Sequence, residues 1–598
     1  MRPMLRWRGN LHQNDSLKAV AVCLVLFLVK FILFDVVWCY SSSFSSFSYP
    51  TTYLSKILIA LILTLPFIFR LPYWVIVAEA VMTDLLLVAN LMYFRTYYTV
   101  IPSDSYLLAG NLLDFMGSVR DQVRLCDFIF PLTTIVAAVC LHSKRSVRLS
   151  SYVRKIYLIA ICGCAALIYL IMLAQGGFRQ SYGSMLTHRQ MSATPTYSLF
   201  GTLIYEALDS KPEMTSEMTA RIETFLALSA NKTMLAESFA TPRTIVVVLL
   251  ESFESWLLEQ EVEGVEITPN LNRYLRESST LYVPNVLSQV KGGRSIDAQL
   301  LLMTGLLPIH DGCFSSRYPY STYLTLIDAV REHCGELCAY AFTPDKHTTW
   351  NQMIVSPQFG FNRLFSRDDF SRDVLTGNGG RRRLADGPFL AECFEKIRDI
   401  GRSDESVRLW LQCITYSGHS PFIIPDELKH IRFSDEIPSR MNDYMTAANY
   451  TDCALGKFID GLRSESRFAD AIFIIIGDHE GLASDRAALV ASKAGAGVVC
   501  EECFTPFVVL NSPVAMRYNE VVGQIDMYPT LLDLLGLSSY EWHGLGRSIL
   551  REDAPRAAMS PSGNIVGKAD GCDSLRLRDA WEYSDIIIRG DYFGAVNK

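Results

Sequence analysis

The sequence predicts two unlike parts: a five-helix transmembrane bundle and, after it, an extracytoplasmic α/β domain. Three observations carry that reading. Long apolar runs dominate residues 1 to about 175. Lysine and arginine cluster at the amino terminus and between the fourth and fifth of those runs. From residue 241, short β-rich apolar runs that end in acidic or histidine residues alternate with helical segments. At 598 residues the chain is too long for one ordinary domain. Its mean hydropathy of +0.19 averages a membrane part with a part of ordinary soluble composition. A net charge of −7 and a pI near 5.9 exclude the basic footprint of a nucleic-acid binder.

The first predicted span is "SLKAVAVCLVLFLVKFILFDVVWCY" (16–40), long enough to cross a ~30 Å hydrocarbon core. It is longer than the apolar region of a cleaved signal, and further spans follow it. The others are 54–69, roughly 73–94, about 125–142 and about 155–175. Arg2, Arg6, Arg8 and Lys18 precede the first span, and Lys144, Arg145, Arg148, Arg154 and Lys155 lie between the fourth and fifth. An even number of crossings separates the two basic regions, so both are cytoplasmic, and five crossings put the rest of the chain outside. Lys30 and Asp84 within spans mark either a polar pathway or a partnered, snorkelling pair.

Residues 176–240 read as a helical juxtamembrane connector. "PTYSLFGTLIYEAL" (195–208) has the amphipathic character of a surface-lying helix, and 215–230 is a second helix. The outer part spans 241–598. "TIVVVLLESF" (244–253) and "AIFIIIGDHEG" (471–481) are continuous apolar runs, as strands buried on both faces of a parallel sheet require. Further strands are expected at 336–345, 408–419 and 504–513, and helices at 322–333 and 441–465. The tail "WEYSDIIIRGDYFGAV" (581–596) reads as an antiparallel strand pair in a small C-terminal β subdomain. Fifteen cysteines, nine of them after residue 175, favour one or two structural disulfides, with Cys334, Cys338, Cys500 and Cys503 at suggestive spacings.

In α/β sheets ligands gather beyond the carboxyl ends of the strands. The polar residues there are Glu251, Asp345, His419, Asp478 and His479. Glu251 and Asp478 are hard oxygen ligands and His479 adds an imidazole, a mixture that Mn2+, Mg2+ or Zn2+ accepts. An aspartate and a histidine side by side at the end of a buried strand are costly without a ligand or partner. "KGGRSIDAQLLLMTGLLP" (291–308) places Ser295 on a glycine-loosened turn before an apolar helix. Ser295 is a helix N-cap, or a nucleophile that a metal ion activates, and the two roles are compatible.

These residues resemble a known family. "VVVLLESFESW", "GGRSIDAQLLLMTGLLP", "WNQ", "ADGPFLAECFEKI", "SGHSPF", "NYTDCALGKFI", "IIIGDHEG" and "QIDMYPTLLDLLGL", in that order, resemble the lipoteichoic acid synthase and phosphoglycerol transferase family, within the sulfatase/alkaline phosphatase superfamily. The resemblance covers almost the whole chain. It implies a sulfatase-like catalytic domain anchored in the cell membrane and one divalent ion, Mn2+ or else Mg2+ or Zn2+. Glu251, Asp478 and His479 take the family's metal-ligand positions. Ser295 stands at the nucleophile, usually threonine, and so also at the metal. His419 matches a histidine that contacts the substrate and handles the leaving-group proton, and Asp345 and Trp350 match residues lining the head-group pocket.

The sequence departs from the family in three places. Serine replaces threonine, which keeps the hydroxyl. Gln352 stands where the family has an arginine, and Thr343 where a head-group histidine is common. Arg294 or Arg363 can supply the missing charge, or the head group differs, with phosphoethanolamine as one option. "SIDAQ" lacks the proline and arginine of the setting that matures to formylglycine, which disfavours sulfate-ester hydrolysis. The resemblance therefore implies transfer of a phospho-head group, phosphoglycerol or similar, from a phospholipid to a glycan, polymer or lipid-linked acceptor, in cell envelope biogenesis. The alternatives are a membrane-anchored phosphodiesterase or phosphatase, with water as acceptor, and a non-catalytic scaffold of the same fold.

Overall fold

The computed structural model describes residues 2–42, 50–97, 101, 123–142, 149–174, 212–229 and 239–596, the last with short breaks at 311–312, 348, 372–375, 379–380, 404–405 and 483–484. The chain divides into two compact units, Met1–Ser210 and Lys211–Lys598. The predicted surface helix at 195–208 lies outside the described residues.

The first unit contains α1 (Arg2–Ser42), α2 (Pro50–Ile68), α3 (Tyr73–Tyr97), α4 (Ile129–His142) and α5 (Ser151–Ala174). Among the described residues, four segments are long and apolar enough to cross a membrane: Ser16–Trp38, Tyr73–Met92, Leu125–His142 and Ser151–Ile171. The second expected span is present as the shorter apolar helix Tyr53–Ile68. Lys30 and Asp84 are bonded to each other. The Lys30 ammonium also donates to the Phe130 carbonyl at 3.0 Å and to the Thr133 and Thr134 hydroxyls at 2.8 Å. Asp35 and Lys56 form a second ion pair at 2.6 Å. Lys30 and Asp84 are each other's partners, so the snorkelling-or-pathway question resolves toward the paired reading.

In the second unit α6 (Ser216–Ser229) is the helix expected at 215–230. The α/β core follows, with β1 (Thr244–Leu250), β2 (Leu281–Leu287), α7 (Ser295–Thr304), α8 (Leu326–Cys334), β3 (Leu337–Phe342), β4 (Arg363–Phe365), α9 (Asp386–Ser403), β5 (Arg408–Ile414), α10 (Ser439–Ser464), β6 (Ile472–Gly477), β7 (Phe504–Leu510), α11 (Met527–Leu534) and α12 (Gly571–Arg589). The main strands lie in the order β2-β7-β6-β1-β5-β3-β4 of a nine-stranded sheet. Strands β6, β1, β5, β3 and β4 are parallel, and β7 runs antiparallel between β6 and β2. The sheet is therefore mixed.

The continuous apolar runs are explained by burial on both faces. In β1, Ile245, Val247 and Leu249 enter one hydrophobic core and Val246, Val248 and Leu250 the other. Helices α7, α8, α11 and α12 contribute to the first core, and α9 and α10 to the second. Every residue of α7 is buried, which accounts for a helix that is apolar nearly all round.

Three expectations need correction. The tail 581–596 is helical, in α12 and the short helix Tyr592–Val596. The run Ile586–Ile588 suggests a strand, yet Leu577, Ala580, Trp581, Ser584, Ile587 and Ile588 are buried with helical spacing, and Asp570 caps the helix by accepting from the Asp573 N–H at 2.8 Å. The antiparallel pair of this region lies earlier, at Ala557–Met559 and Ile565–Gly567. Strand β2 was not anticipated, because Pro284 and Asn285 interrupt its apolar run. Cys334, Cys338, Cys500 and Cys503 carry free thiols. Cys334 ends α8 and Cys338 lies in β3, beyond the left-handed Gly335, so their spacing is not that of one helix. Burial pushes the Cys503 thiol up to about 11.

Beyond the sheet edge, Glu254 ties the segment after β1 to the segment after β6. Its carboxylate accepts from the Gly481 and Leu482 N–H groups at 2.7 and 3.0 Å and from the Trp256 indole at 2.9 Å, and it pairs with Arg486 at 2.7 Å. Glu254 is fully buried. Arg486→Met leaves that carboxylate without its cation, and a loss of about 3–5 kcal/mol is expected. Chemical denaturation of the full chain in detergent measures it. An unchanged midpoint would show that the pair does not hold these segments.

Candidate metal and nucleophile site

Strands β5, β1 and β6 are neighbours and parallel, so their carboxyl ends open on one edge. The register pairs Leu250 with Gly477, which sets Glu251 and Asp478 side by side one residue further on. The Asp478 N–H still donates to the Leu250 carbonyl at 3.1 Å. Ser295 reaches the same edge as the first residue of α7.

Glu251, Asp478 and His479 each present a ligand atom, and those atoms all lie within 4.8 Å of one another. All three residues are buried. His479 Nε2 is 3.5 Å from both Glu251 Oε1 and Asp478 Oδ2. The Ser295 hydroxyl donates to Glu251 Oε2 at 3.0 Å and lies 3.4 Å from His479 Nε2. The Ser252 hydroxyl donates to Glu251 Oε1 at 2.7 Å.

The donor set fits a divalent cation, and one atom argues for it directly. Asp478 Oδ1 accepts from the Ser252 and His479 N–H groups, both at 2.7 Å. Asp478 Oδ2 is buried without a hydrogen-bond donor and faces the Glu251 and His479 ligand atoms. Such an oxygen is costly unless a cation or proton meets it. His479 Nδ1 lies 3.0 Å from the Glu480 carbonyl. Donation to that carbonyl leaves the Nε2 lone pair directed at the carboxylates.

Burial, and then the neighbouring Glu251 charge, pushes Asp478 well above the usual carboxylate range. Burial pushes Glu251 the same way, but the adjoining His479 and His419 imidazoles and the Ser252 and Ser295 hydroxyl donors outweigh it and hold Glu251 low. Of the two carboxylates, Asp478 is therefore the one biased toward its protonated form. Burial, reinforced by the Arg294 charge, pushes His479 down to about 4, so its imidazole is neutral and ready to ligate at neutral pH.

The turn before Ser295 is strained. Arg294 has φ 50° and ψ −116°, a conformation that favours glycine. Its guanidinium holds it there, bonding Glu480 Oε1 at 2.5 Å and the Glu480 carbonyl at 2.9 Å, and lying 3.0 Å from His479 Nδ1. A Cβ on Gly293 would come within 2.2 Å of Asp297 Oδ1, the carboxylate that collects the Lys291 and Gly293 N–H groups. The glycine therefore admits Asp297 to the turn that presents Ser295.

His419 lies on the turn after β5, exposed, with its imidazole stacked on Tyr416 at 5.1 Å. Its Nδ1 is 2.7 Å from the Ser420 carbonyl, which leaves Nε2 as the open end. Asp345 and Trp350 follow β3, which β5 separates from β1. Trp350 and Asn351 both have left-handed backbones, φ 55° and 57°. Gln352 is buried, and its Oε1 has no hydrogen-bond donor. Arg363 is exposed and paired with Asp369 at 3.1 Å. The structure thus brings Glu251, Ser295, Arg294, Asp478 and His479 into one cluster, while Asp345 and Trp350 belong to a separate segment of the same sheet edge. Sequence reasoning missed Glu480, Glu254 and Ser252, although "LLESFES" and "GDHEG" contain all three.

Residues 243–537 match the sulfatase family model, and residues 1–220 match that of the lipoteichoic acid synthase N-terminal domain. The chain is 23% identical over 521 residues to the lipoteichoic acid synthase-like protein YvgJ of Bacillus subtilis, covering 82% of this chain and 80% of that protein. It is 23% identical over 540 residues to the lipoteichoic acid synthase of Staphylococcus saprophyticus, covering 86% and 80%. The crystal structure of the lipoteichoic acid synthase LtaP from Listeria monocytogenes superposes with a TM-score of 0.50 at 18% identity, covering 61% of this chain and 98% of that one. This last likeness is one of fold.

A proton held by Asp478 has to leave for an ion to bind, so affinity rises with pH and falls as the solution is acidified. Titration calorimetry with Mn2+ at pH 7, in buffers of different ionisation enthalpy, is expected to show proton release on ion binding. Asp478→Asn is expected to abolish that release and to weaken binding at least about 100-fold. Binding without proton release would remove the Asp478 proton from the site.

Proposed function

We propose that this chain, a lipoteichoic acid synthase-like enzyme of the sulfatase superfamily, is a membrane-bound transferase. It moves a phospho-head group, phosphoglycerol or similar, from a phospholipid to a glycan or polymer acceptor through a covalent intermediate on Ser295. The observation that carries the reading is the placement of the Ser295 hydroxyl. It lies 3.0 Å from a Glu251 oxygen and 3.4 Å from His479 Nε2, on a strained turn at the start of a buried helix. The names of the curated relatives supply the substrate class. The catalytic unit sits on the outer side of the membrane, where lipid donor and acceptor meet.

Glu251, Asp478, His479 and Ser295 would hold one divalent ion, Mn2+ or else Mg2+ or Zn2+, which supplies positive charge to acidify the hydroxyl and to stabilise a phosphoryl oxygen. The chain's own groups do the rest. Ser295 Oγ attacks phosphorus while its proton passes to the Glu251 carboxylate. The bond from phosphorus to the diacylglycerol oxygen breaks, and His419 Nε2 gives that oxygen its proton. The acceptor hydroxyl then attacks the Ser295 phosphodiester and hands its proton to His419. Ser295 departs and recovers the proton from Glu251, which closes the cycle. Asp345 and Trp350 line the head-group pocket, and Arg294 lies close enough to the nucleophile to meet phosphate while it holds the Glu480 turn. Gln352, a buried amide in place of a cation, makes the head group the first variable to test.

Purified full chain with Mn2+ and labelled phospholipids of several head groups tests the reading. Head-group release is expected to fall by more than about a thousandfold in Ser295→Ala and to persist in Ser295→Thr. Mass analysis of the wild type is expected to find one head-group phosphate on the peptide containing Ser295. Undiminished turnover of Ser295→Ala rules out the covalent route. Release that always ends on water, with acceptor glycans supplied, identifies a phosphodiesterase instead.

A further inference from the structure

We propose that Asp386 is a positioning residue for His419, acting through the turn that carries the imidazole. The proposal rests on the role given to His419 above. Asp386 is the first residue of α9 and is fully buried. Its carboxylate is directed at another segment of the chain. Oδ1 accepts from the Tyr416 and Ser417 N–H groups at 2.8 and 3.1 Å, and Oδ2 accepts from the Thr451 hydroxyl of α10 at 2.7 Å. The Asp386 N–H donates back to the Ser417 hydroxyl at 2.9 Å. One residue thus makes two hydrogen bonds to the 416–417 backbone, one to the Ser417 hydroxyl and one to α10, tying the turn to the α9–α10 layer.

The turn that continues from that backbone, closed by the His419 N–H donating to the Tyr416 carbonyl at 2.9 Å, fixes the imidazole in two ways. The Tyr416 ring is the surface on which His419 stacks, 5.1 Å between centroids with the planes 12° apart. Nδ1 is occupied by the Ser420 carbonyl, so ring plane and ring rotation are both set and Nε2 has one direction left. The other side of the turn is pressed against the metal-ligand strand. Thr415 Oγ1 accepts from the Glu251 N–H at 2.9 Å, and a Cβ on Gly418 would fall 2.1 Å from the Glu251 carbonyl oxygen. The turn is therefore clamped between Glu251 and Asp386, which sets the imidazole relative to the nucleophile. A proton donor gains its catalytic advantage only within hydrogen-bond reach of the departing oxygen. Loosening the Asp386 side of the clamp removes that reach without touching the Ser295 cluster.

The leaving group separates this role from a merely structural one. A phospholipid releases an alkoxide, which needs a proton; a nitrophenyl ester of the same head-group phosphate releases a phenolate, which does not. Single-turnover release of each leaving group is followed with the full chain in detergent and Mn2+. Asp386→Asn is expected to slow release from the phospholipid roughly tenfold or more, and to leave nitrophenolate release within about twofold of wild type. Thr451→Val, which keeps Asp386 and removes one of its anchors, is expected to show the same selective loss in weaker form, with recovery in Thr451→Ser. If Asp386→Asn fails to fold, the two Thr451 variants carry the test. Equal losses on both donors, or no loss on either, overturn the positioning role. His419→Ala is run alongside. If it is selective and Asp386→Asn is not, this proposal fails alone; if it is unselective, the role of His419 falls and this proposal falls with it.

Discussion

Like-charged oxygen ligands crowded inside the protein, at the ends of adjacent parallel strands, are the constraint on which the rest of this structure depends. Glu251 and Asp478 cannot both ionise in a buried space a few ångströms wide unless positive charge joins them. Without a cation Asp478 is pushed toward its protonated form; with one, both carboxylates are satisfied. The surrounding structure is arranged to keep those groups in place despite their mutual repulsion. Backbone N–H groups of Ser252 and His479 hold one Asp478 oxygen, two serine hydroxyls hold Glu251, and the Glu480 carbonyl orients His479. The apolar strands beneath, buried on both faces, leave these groups no route of retreat into solvent.

Outside this cluster a second layer of charge does mechanical work. Arg294 joins the nucleophile turn to the Glu480 turn, and Glu254 with Arg486 joins the segments after β1 and β6. Each pair links parts of the chain that are remote in sequence. The strained backbone at Arg294 and Ser252, both with positive φ, is held by these links. The fold therefore stores unfavourable local geometry close to the reacting hydroxyl and offsets it with one half-buried and one buried ion pair.

Much of this was legible in the sequence, for identifiable reasons. An apolar strand that ends in "GDHEG" or "LLESF" signals its site because the change from core to ligand occurs within one residue, and both strands lie where they were expected. Ser295 was legible because two glycines precede it and a buried helix follows. Asp386, Glu254 and Glu480 were not singled out because their meaning is tertiary. An aspartate at the head of a helix looks like a cap until the Tyr416 and Ser417 N–H groups are seen to meet it. The C-terminal helix was misread for a local reason, since three consecutive isoleucines favour a strand until the wider period of its buried residues is weighed. Cysteine spacing misled because Gly335 turns the chain between Cys334 and Cys338.

The paired charges of the membrane unit carry a consequence for how the protein is made. Lys30 belongs to the first helix, whereas Asp84 and the threonine hydroxyls that complete its coordination belong to helices synthesised later. A lone lysine at the centre of a bilayer costs about 2.5–3.5 kcal/mol on the translocon scale. The ammonium therefore gains its full set of partners only once the later helices have packed against the first, which favours the assembled bundle over the separate helices.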